Sequence, residues 1–336
     1  MATRRLMLLL APILAFGLVP KTAKAQLQIM PLGDSITWGY NGSTTSPASP
    51  GGYRDPLYTD LTGSGYTVNY VGASNENPST TLTNAGQTAQ NGYNGYTTDE
   101  ITDNLAGDLT SGNPAYNPSN TESNNGGYWL TGGGGTGRGP ETANVILLSI
   151  GLNDMGLGYD PQYDPTNPFG VTVTGTSPTP DETVAQFDQD LTTRLNTLIV
   201  TLQAYEPNAT IVVGVTPDAA LDFYNYSTYT GEVKTYNTDI ANLIASYPTG
   251  SNVHYLDLYD DLGGTGETAA YYSALNGSVD DGTHPNSLGY AEIASLWAQA
   301  IEADYTAPVP EPNSLGLLAL GALVTLLLRR QLQIRR

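Results

Sequence analysis

One serine and one histidine are the residues of this chain best suited to covalent chemistry. Ser35 follows an apolar run in "IMPLGDSITWGY" at 29–40, and a turn from strand into helix there would project its hydroxyl into the crevice beyond the strand. A serine nucleophile needs a base, usually histidine. The chain contains only two histidines, His254 and His284. These residue types predict nucleophilic attack on a carbonyl carbon.

His284 is the stronger candidate for the base. It lies in the turn-rich "DDGTHPNSLGY" at 280–290, directly before the last predicted helix. Asp281 precedes it by three residues, a spacing that lets the carboxylate accept the Nδ1–H and leaves Nε2 to take the serine proton. An Asx-type turn capping the helix is the alternative explanation for this stretch. His254 lies inside a predicted strand, which favours a packing role.

Donors for the oxyanion that such an attack creates can also be found. The first N–H groups of a helix after Ser35 have no partner within that helix. Asn153 in "SIGLND" places an amide at the end of a predicted strand, and Gly95 in "NGYNGYTTDEI" lets its backbone N–H approach a ligand closely. Each is compatible with ordinary turn chemistry, so it is their placement after successive strands that predicts an oxyanion hole.

The elements that must position these groups alternate along the chain. Five apolar or β-branched runs predict strands at 27–32, 66–71, 145–150, 210–216 and 253–258. Apolar residues spaced three or four apart predict helices over 184–202, 233–247 and 287–304. This alternation predicts an α/β fold, a three-layer α/β/α sandwich with a five-stranded parallel sheet.

Two stretches rich in Gly, Asn, Pro and Thr interrupt this alternation, at 110–140 and 155–182. Loops of this length in a compact domain are functional or disordered. Both flank "SIGLND", so we expect them over the carboxyl end of the strand that precedes it. A solvated insertion without function is the alternative for 110–140.

The two ends of the chain differ from its middle. Arg4 and Arg5 precede an apolar run that ends in "KTAKA", which predicts a secretory signal peptide at 1–25. In 306–336 a Pro-rich piece, an apolar piece and an Arg-rich tip follow one another. The apolar piece, 315–328, would rise only about 21 Å as a helix, short of a comfortable bilayer span.

The 306–336 arrangement resembles the PEP-CTERM sorting signals of exopolysaccharide-producing Gram-negative bacteria. That resemblance implies export, transient anchoring in the inner membrane, and release to the cell envelope or outer surface by an exosortase-type sorting enzyme. A plain C-terminal membrane anchor is the alternative.

Composition limits the partners. Without its two ends, the 26–308 segment keeps four basic residues against 31 acidic ones, a net charge of −27. Such a surface repels nucleic acids and anionic polymers and suits a neutral substrate. The chain has no cysteine, so core size rather than disulfides must stabilise it. The expected chemistry needs neither a cofactor nor a metal. Acidic loops such as "YDPQYDPTNP" at 159–168 could bind calcium structurally, although their spacing resembles no known calcium loop.

Four short motifs resemble, in order, the sequence blocks of the SGNH or GDSL hydrolases. They are Gly33-Asp34-Ser35, Gly95, Gly151-Leu152-Asn153-Asp154 and Asp281-Gly282-Thr283-His284. The resemblance covers about 27–303. The 51–75 segment, "GGYRDPLYTDLTGSGYTVNYVGASN", is especially similar to the family 3 carbohydrate esterases, many of which deacetylate xylan. Tyr93-Asn94-Gly95-Tyr96 departs from the histidine and tryptophan that relatives often carry around the second-block glycine.

The resemblance implies a flavodoxin-like SGNH fold over 26–305 and a role for each site residue. Ser35 is the expected nucleophile, His284 the base and Asp281 its partner. The backbone N–H groups of Ser35 and Gly95, with the Asn153 side chain, are the expected oxyanion hole.

The expected function is a secreted or cell-surface serine esterase that removes acyl groups, acetyl above all, from a polysaccharide or oligosaccharide through an acyl-enzyme. One alternative is a lipolytic esterase or lysophospholipase, against which the presence of only four phenylalanines counts. The other is a non-catalytic carbohydrate-binding matrix protein on the same fold.

Overall fold

A parallel sheet forms the centre of the molecule. The computed structural model describes residues 26–40, 49–106, 129–130, 142–154, 184–215, 229–258 and 284–305. Within these ranges the strands are β1 (Gln26–Gly33), β2 (Thr67–Tyr70), β3 (Asn91–Gly92), β4 (Val145–Ser149), β5 (Thr210–Gly214) and β6 (Val253–Leu256). Their order is β2–β1–β4–β5–β6, and β3 pairs with the carboxyl end of β1. Every pairing between these strands is parallel, which confirms the predicted sheet.

Helices cover this sheet in two groups. They are α1 (Ser35–Trp38), α2 (Arg54–Gly63), α3 (Thr80–Ala85), α4 (Thr98–Ala106), α5 (Val184–Tyr205), α6 (Tyr229–Ser246) and α7 (Ser287–Asp304). Helices α2 and α7 pack on each other, whereas α4 and α6 both pack on α5. The predicted α/β class with flanking helices is therefore confirmed.

The apolar runs are buried because the sheet is covered on both faces. All five residues of β4 are buried, as expected for a central strand that reads as continuously apolar rather than alternating. Helix α5 packs one face on the core, and the buried leucines of that face are Leu191, Leu195, Leu198 and Leu202. The backbone register pairs Gly33 at the end of β1 with Ser149 at the end of β4, so both strands release their following loops at one edge.

Helix α7 is fixed at both its start and its middle. The Asn286 side chain caps it by accepting hydrogen bonds from the N–H groups of Leu288 at 2.9 Å and Gly289 at 3.1 Å. Trp297 is fully buried against β5, where a Cβ on Gly214 would come within 2.6 Å of the indole ring. The absence of a side chain at Gly214 thus allows α7 to pack closely on the sheet. This packing sets the position of His284, which directly precedes the helix.

Several predicted features lie outside the described residues. They are the signal peptide at 1–25, the sorting segment at 306–336, the 155–182 loop, Asp281, and the 110–140 loop apart from Trp129 and Leu130. Residues Gln26–Thr306 form one compact unit. In the described part of the chain, we find no helix with the length and apolar character that a membrane span requires.

Candidate active site

Ser35 lies where the chain turns from β1 into α1. A Cβ on Gly33 would stand 2.1 Å from the Ser149 carbonyl oxygen, so only glycine allows β1 and β4 to approach this closely at their ends. Asp34 then caps α1, and its Oδ1 accepts a hydrogen bond from the Ile36 N–H at 2.9 Å. Ser35 is consequently the first residue of a short helix at the carboxyl edge of the sheet, as the sequence predicts.

The structure brings Ser35 and His284 together from distant parts of the chain. Ser35 Oγ lies 2.7 Å from His284 Nε2, although 249 residues separate the two. Both side chains are nearly inaccessible to solvent, at 6% and 7% exposure. With the Nδ1–H tautomer, Nε2 accepts the serine proton, which is the arrangement a general base requires. The predicted third member, Asp281, lies outside the described residues.

An aromatic ring that sequence reasoning missed packs against this pair. The rings of Tyr40 and His284 meet edge-on, with centroids 4.6 Å apart and planes at 76°. The Tyr290 hydroxyl donates a hydrogen bond to the Tyr40 backbone carbonyl. Because Tyr290 belongs to α7, the helix that follows the histidine also holds the ring that flanks it. Only tertiary contacts reveal this arrangement.

A buried arginine anchors the turn after α1. The Arg54 side chain is fully buried, and its Nη2 donates hydrogen bonds to the backbone carbonyls of Trp38 and Asn77, both at 3.2 Å. The Asn77 amide donates to the same Trp38 carbonyl at 3.0 Å. Burial lowers the pKa of Arg54 to about 10, and the guanidinium still carries its charge at neutral pH. The arginine of the "GGYR" motif therefore supports the turn that follows the helix of Ser35.

The other two predicted oxyanion donors follow strands that are adjacent to β1, the strand that precedes Ser35. Gly95 follows β3 and Asn153 follows β4, and both strands pair with β1. The Tyr93 N–H extends the β3 pairing by donating to the Gly33 carbonyl at 3.1 Å. Asn153 Nδ2 donates to the Tyr96 carbonyl at 2.9 Å, which uses one of its two N–H bonds and leaves the other.

The backbone at these donors suits a binding role. Gly95 has a φ of +78°, a left-handed conformation that glycine adopts without strain. Neither the Ser35 N–H nor the Gly95 N–H donates a hydrogen bond to another group in the described ranges. Backbone donors of this kind are what the predicted oxyanion hole requires.

A stack of three aromatic rings supports the Gly95 turn. The Tyr93 ring stacks on Tyr96 with centroids 4.8 Å apart and on Trp129 with centroids 4.9 Å apart. All three are buried. Trp129 belongs to the long 110–140 stretch, so at this point the insertion contacts the segment that carries a predicted donor.

Three buried carboxyl groups lie close in sequence to the site motifs. Burial raises the pKa of Asp34 to about 6, even though the Ile36 N–H and the nearby His284 favour its charged form. Burial likewise raises the pKa of Asp154 to about 7 and that of Glu100 to about 8. Each accepts hydrogen bonds from backbone N–H groups, which offset part of the cost of burial.

The placement of the potential metal ligands can be stated for the described residues. Among the residues described, no cluster of three or more His, Cys, Asp or Glu side chains is placed to hold a metal ion. The Ser35–His284 pair needs none for attack on a carbonyl carbon.

Known proteins resemble this chain over most of its length. The "Multidomain esterase" of Ruminococcus flavefaciens is 27% identical over 290 residues, which cover 84% of this chain but 29% of that protein. The crystal structure of an acetyl esterase mutant with acetate ion superposes with a TM-score of 0.50 at 16% identity, over 82% of this chain and 97% of that one. A Clostridium thermocellum family 3 carbohydrate esterase gives a TM-score of 0.49 at 22% identity, over 83% of this chain and 96% of that one. The acetyl esterase match supports the fold.

Two family models also match the chain. Residues 308–331 match the PEP-CTERM protein-sorting motif, which indicates an exported, envelope-associated protein. Residues 29–297, which include Ser35, Gly95, Asn153 and His284, match the model of GDSL-like lipase/acylhydrolases. The chain therefore belongs to the GDSL-like lipase/acylhydrolase family.

Proposed function

We propose that this protein is a serine esterase that removes acetyl groups from a polysaccharide or oligosaccharide. The observation that carries the proposal is the 2.7 Å contact between Ser35 Oγ and His284 Nε2. Two neighbouring N–H donors and the Asn153 amide supply the rest of the machinery that acyl transfer needs. Family membership supports the hydrolase class.

The reaction has two halves with an acyl-enzyme between them. His284 Nε2 takes the Ser35 proton as Oγ attacks the ester carbonyl carbon, and the oxyanion binds the N–H groups of Ser35, Gly95 and Asn153. The imidazolium returns the proton to the departing sugar oxygen, and the carbon–oxygen bond breaks. Water, deprotonated by His284, then attacks the acyl-enzyme and releases acetate and free Ser35. We assign Asp281 as the carboxylate that holds the His284 Nδ1–H.

Charge and motif content support a neutral carbohydrate substrate. The net charge of −27 on 26–308 would repel anionic phospholipid headgroups and acidic glycans. The 51–75 segment is similar to family 3 carbohydrate esterases, and its Arg54 supports the turn that follows the helix of Ser35. These features together favour an acetylated neutral glycan such as xylan over a lipid.

The sorting motif supports the proposed location and second partner. We infer that an exosortase-type enzyme recognises the 306–336 segment, that the segment anchors the chain transiently in the inner membrane of a Gram-negative cell, and that its removal places the 26–305 domain at the envelope or outer surface. The family match at 308–331 supports this route.

A chain-length series tests the substrate. With p-nitrophenyl esters from acetate to palmitate, we expect kcat/KM for acetate to exceed that for palmitate by about 10²-fold or more, because a pocket built for acetyl excludes long chains. Acetate release from acetylated xylan should accompany it. A preference for palmitate would instead support a lipolytic esterase. Glycan binding without any hydrolysis would support the matrix-protein alternative.

A further inference from the structure

Two consecutive side chains after β4 hold the loop that carries Gly95. Asn153 Nδ2 donates to the Tyr96 carbonyl at 2.9 Å. Asp154 Oδ2 accepts hydrogen bonds from the Thr98 N–H at 2.9 Å and from Thr98 Oγ1 at 3.1 Å. All of these contacts are buried and join residues more than fifty positions apart. The 95–98 stretch is therefore tethered to the end of β4 at two points.

The Asp154 contact does more than cap a helix. Thr98 begins α4, and this helix already has a local capping box, in which Glu100 Oε2 accepts from the Thr97 N–H at 2.8 Å. Glu100 is a member of α4 itself, so its contact stabilises the helix without linking it to the sheet. Asp154 comes from a different strand loop, and it alone of the two carboxylates fixes where α4 begins relative to β4.

The contact between Asp154 and Thr98 lies close in the chain to Gly95, whose backbone N–H is a predicted oxyanion donor. Gly95 lies between Tyr93, which the Gly33 carbonyl holds at 3.1 Å, and Thr98, which Asp154 holds. Donors lower a barrier only when they stand within a few tenths of an ångström of the position that the oxyanion will take. A shift of about 1 Å can cost 10²-fold in rate. Loss of the Thr98 contact would leave the Gly95 turn tethered to the end of β4 only through Asn153 and the Tyr96 carbonyl.

Holding Thr98 with a buried carboxylate is energetically unfavourable, because the charged group loses its contact with water. Asp154 is 2% exposed, and burial disfavours its charged form. The charged groups that act on it include Glu100 and Asp99 on the first turn of α4 and Arg194 on α5, and Asp99 and Arg194 contact each other at 3.6 Å. Two acceptor oxygens allow one side chain to hold both the N–H and the hydroxyl of Thr98.

We propose that Asp154 is a positioning residue of the active site, which holds the oxyanion-donor loop in place through Thr98. The role rests on the proposed function, since it presumes that Gly95 and Asn153 stabilise an oxyanion. Asp154 itself touches neither the substrate nor Ser35 in this assignment.

Four variants of the full chain test the proposal, with kcat and KM for p-nitrophenyl acetate and thermal unfolding measured for each. We expect Asp154→Ala to lower kcat by about 10- to 100-fold with KM changed less than about threefold, because donors act in the transition state. Asp154→Asn keeps an acceptor for the Thr98 N–H, so most of kcat should return. Thr98→Val removes only the hydroxyl donor and should lower kcat by about three- to tenfold, less than Asp154→Ala does. Glu100→Ala, the matched control on the same helix, should lower the melting temperature and leave kcat within about twofold.

The opposite results would overturn the role. A folded Asp154→Ala with the wild-type kcat would do so, as would a Glu100→Ala that loses as much kcat as Asp154→Ala. If Asp154→Ala does not fold, an unchanged kcat in Thr98→Val would have the same meaning. Ser35→Ala distinguishes failure of the positioning role from failure of the proposed esterase function. If Ser35→Ala is inactive while the Asp154 variants keep the wild-type kcat, the esterase function stands and only the positioning role of Asp154 fails.

Discussion

Ser35→Ala is expected to lower kcat for acetyl ester hydrolysis at least about 10⁴-fold while the protein stays folded. The change removes the attacking oxygen that lies 2.7 Å from His284 Nε2, and no second route to the acyl-enzyme exists once it is gone. The removed hydroxyl is small, so the α/β core should be unaffected. Steady-state hydrolysis of p-nitrophenyl acetate and a circular dichroism melt measure both quantities.

Ser79 offers a matched control for this substitution. It is as buried as Ser35, but its hydroxyl caps α3 by accepting a hydrogen bond from the Leu82 N–H at 3.0 Å. Ser79→Ala should cost about 1 kcal/mol of the free energy of unfolding and leave turnover intact. Substantial hydrolysis by a pure Ser35→Ala preparation would show that the nucleophile lies elsewhere.

The second large effect is expected at His284. Replacing His284 with alanine removes the base for both halves of the reaction and should lower kcat about 10⁴-fold. The substitution also leaves a gap beside Ser35 and Tyr40, in which free imidazole added to the assay should restore part of the lost rate. A titration of rate against imidazole concentration, with Ser35→Ala as the unrescued reference, measures this.

The other histidine of the chain provides the comparison. His254 lies in β6, where its Nδ1 stands 3.3 Å from an Asp304 carboxylate oxygen at the partly exposed end of α7. His254→Ala should keep kcat within about twofold of wild type, since surface ion pairs contribute little. Equal losses in the two histidine variants would contradict the assignment of His284 as the base.

Much of the fold could be predicted because its main strands are buried on both faces of the sheet, which leaves a continuous apolar run in the sequence. Residues 145–148 are apolar without interruption, which is the pattern of a parallel strand covered on both faces. The leucine residues of α5 likewise recur at helical spacing, because they form the one face of the helix that packs on the core. Strand β3 was not predicted, since two residues, Asn91 and Gly92, carry no periodicity; their pairing depends on the close approach of β1. Helix α4 was missed for a similar reason, because its nine residues follow a turn-rich stretch.

The contact between Ser35 and His284 could be predicted because the chain offers few choices. Only two histidines are present, and only one lies beyond a strand near a carboxylate. The residues that hold the pair could not be found in this way. Tyr40, Arg54 and Asp154 lie in the motifs that the sequence analysis quotes, but their roles arise from contacts with residues 16 to 250 positions away. Local pattern carries no information on such contacts.

The central claim is that Ser35 is the nucleophile, and covalent labelling tests it most directly. A fluorophosphonate transfers its phosphonyl group to an activated serine oxygen with loss of fluoride, and peptide mass spectrometry locates the adduct. We predict one adduct per full-length chain, on the peptide that contains Ser35, slowed by substrate and absent from Ser35→Ala. An enzymatically active preparation that remains unlabelled, or that carries the adduct on another residue, would contradict the account.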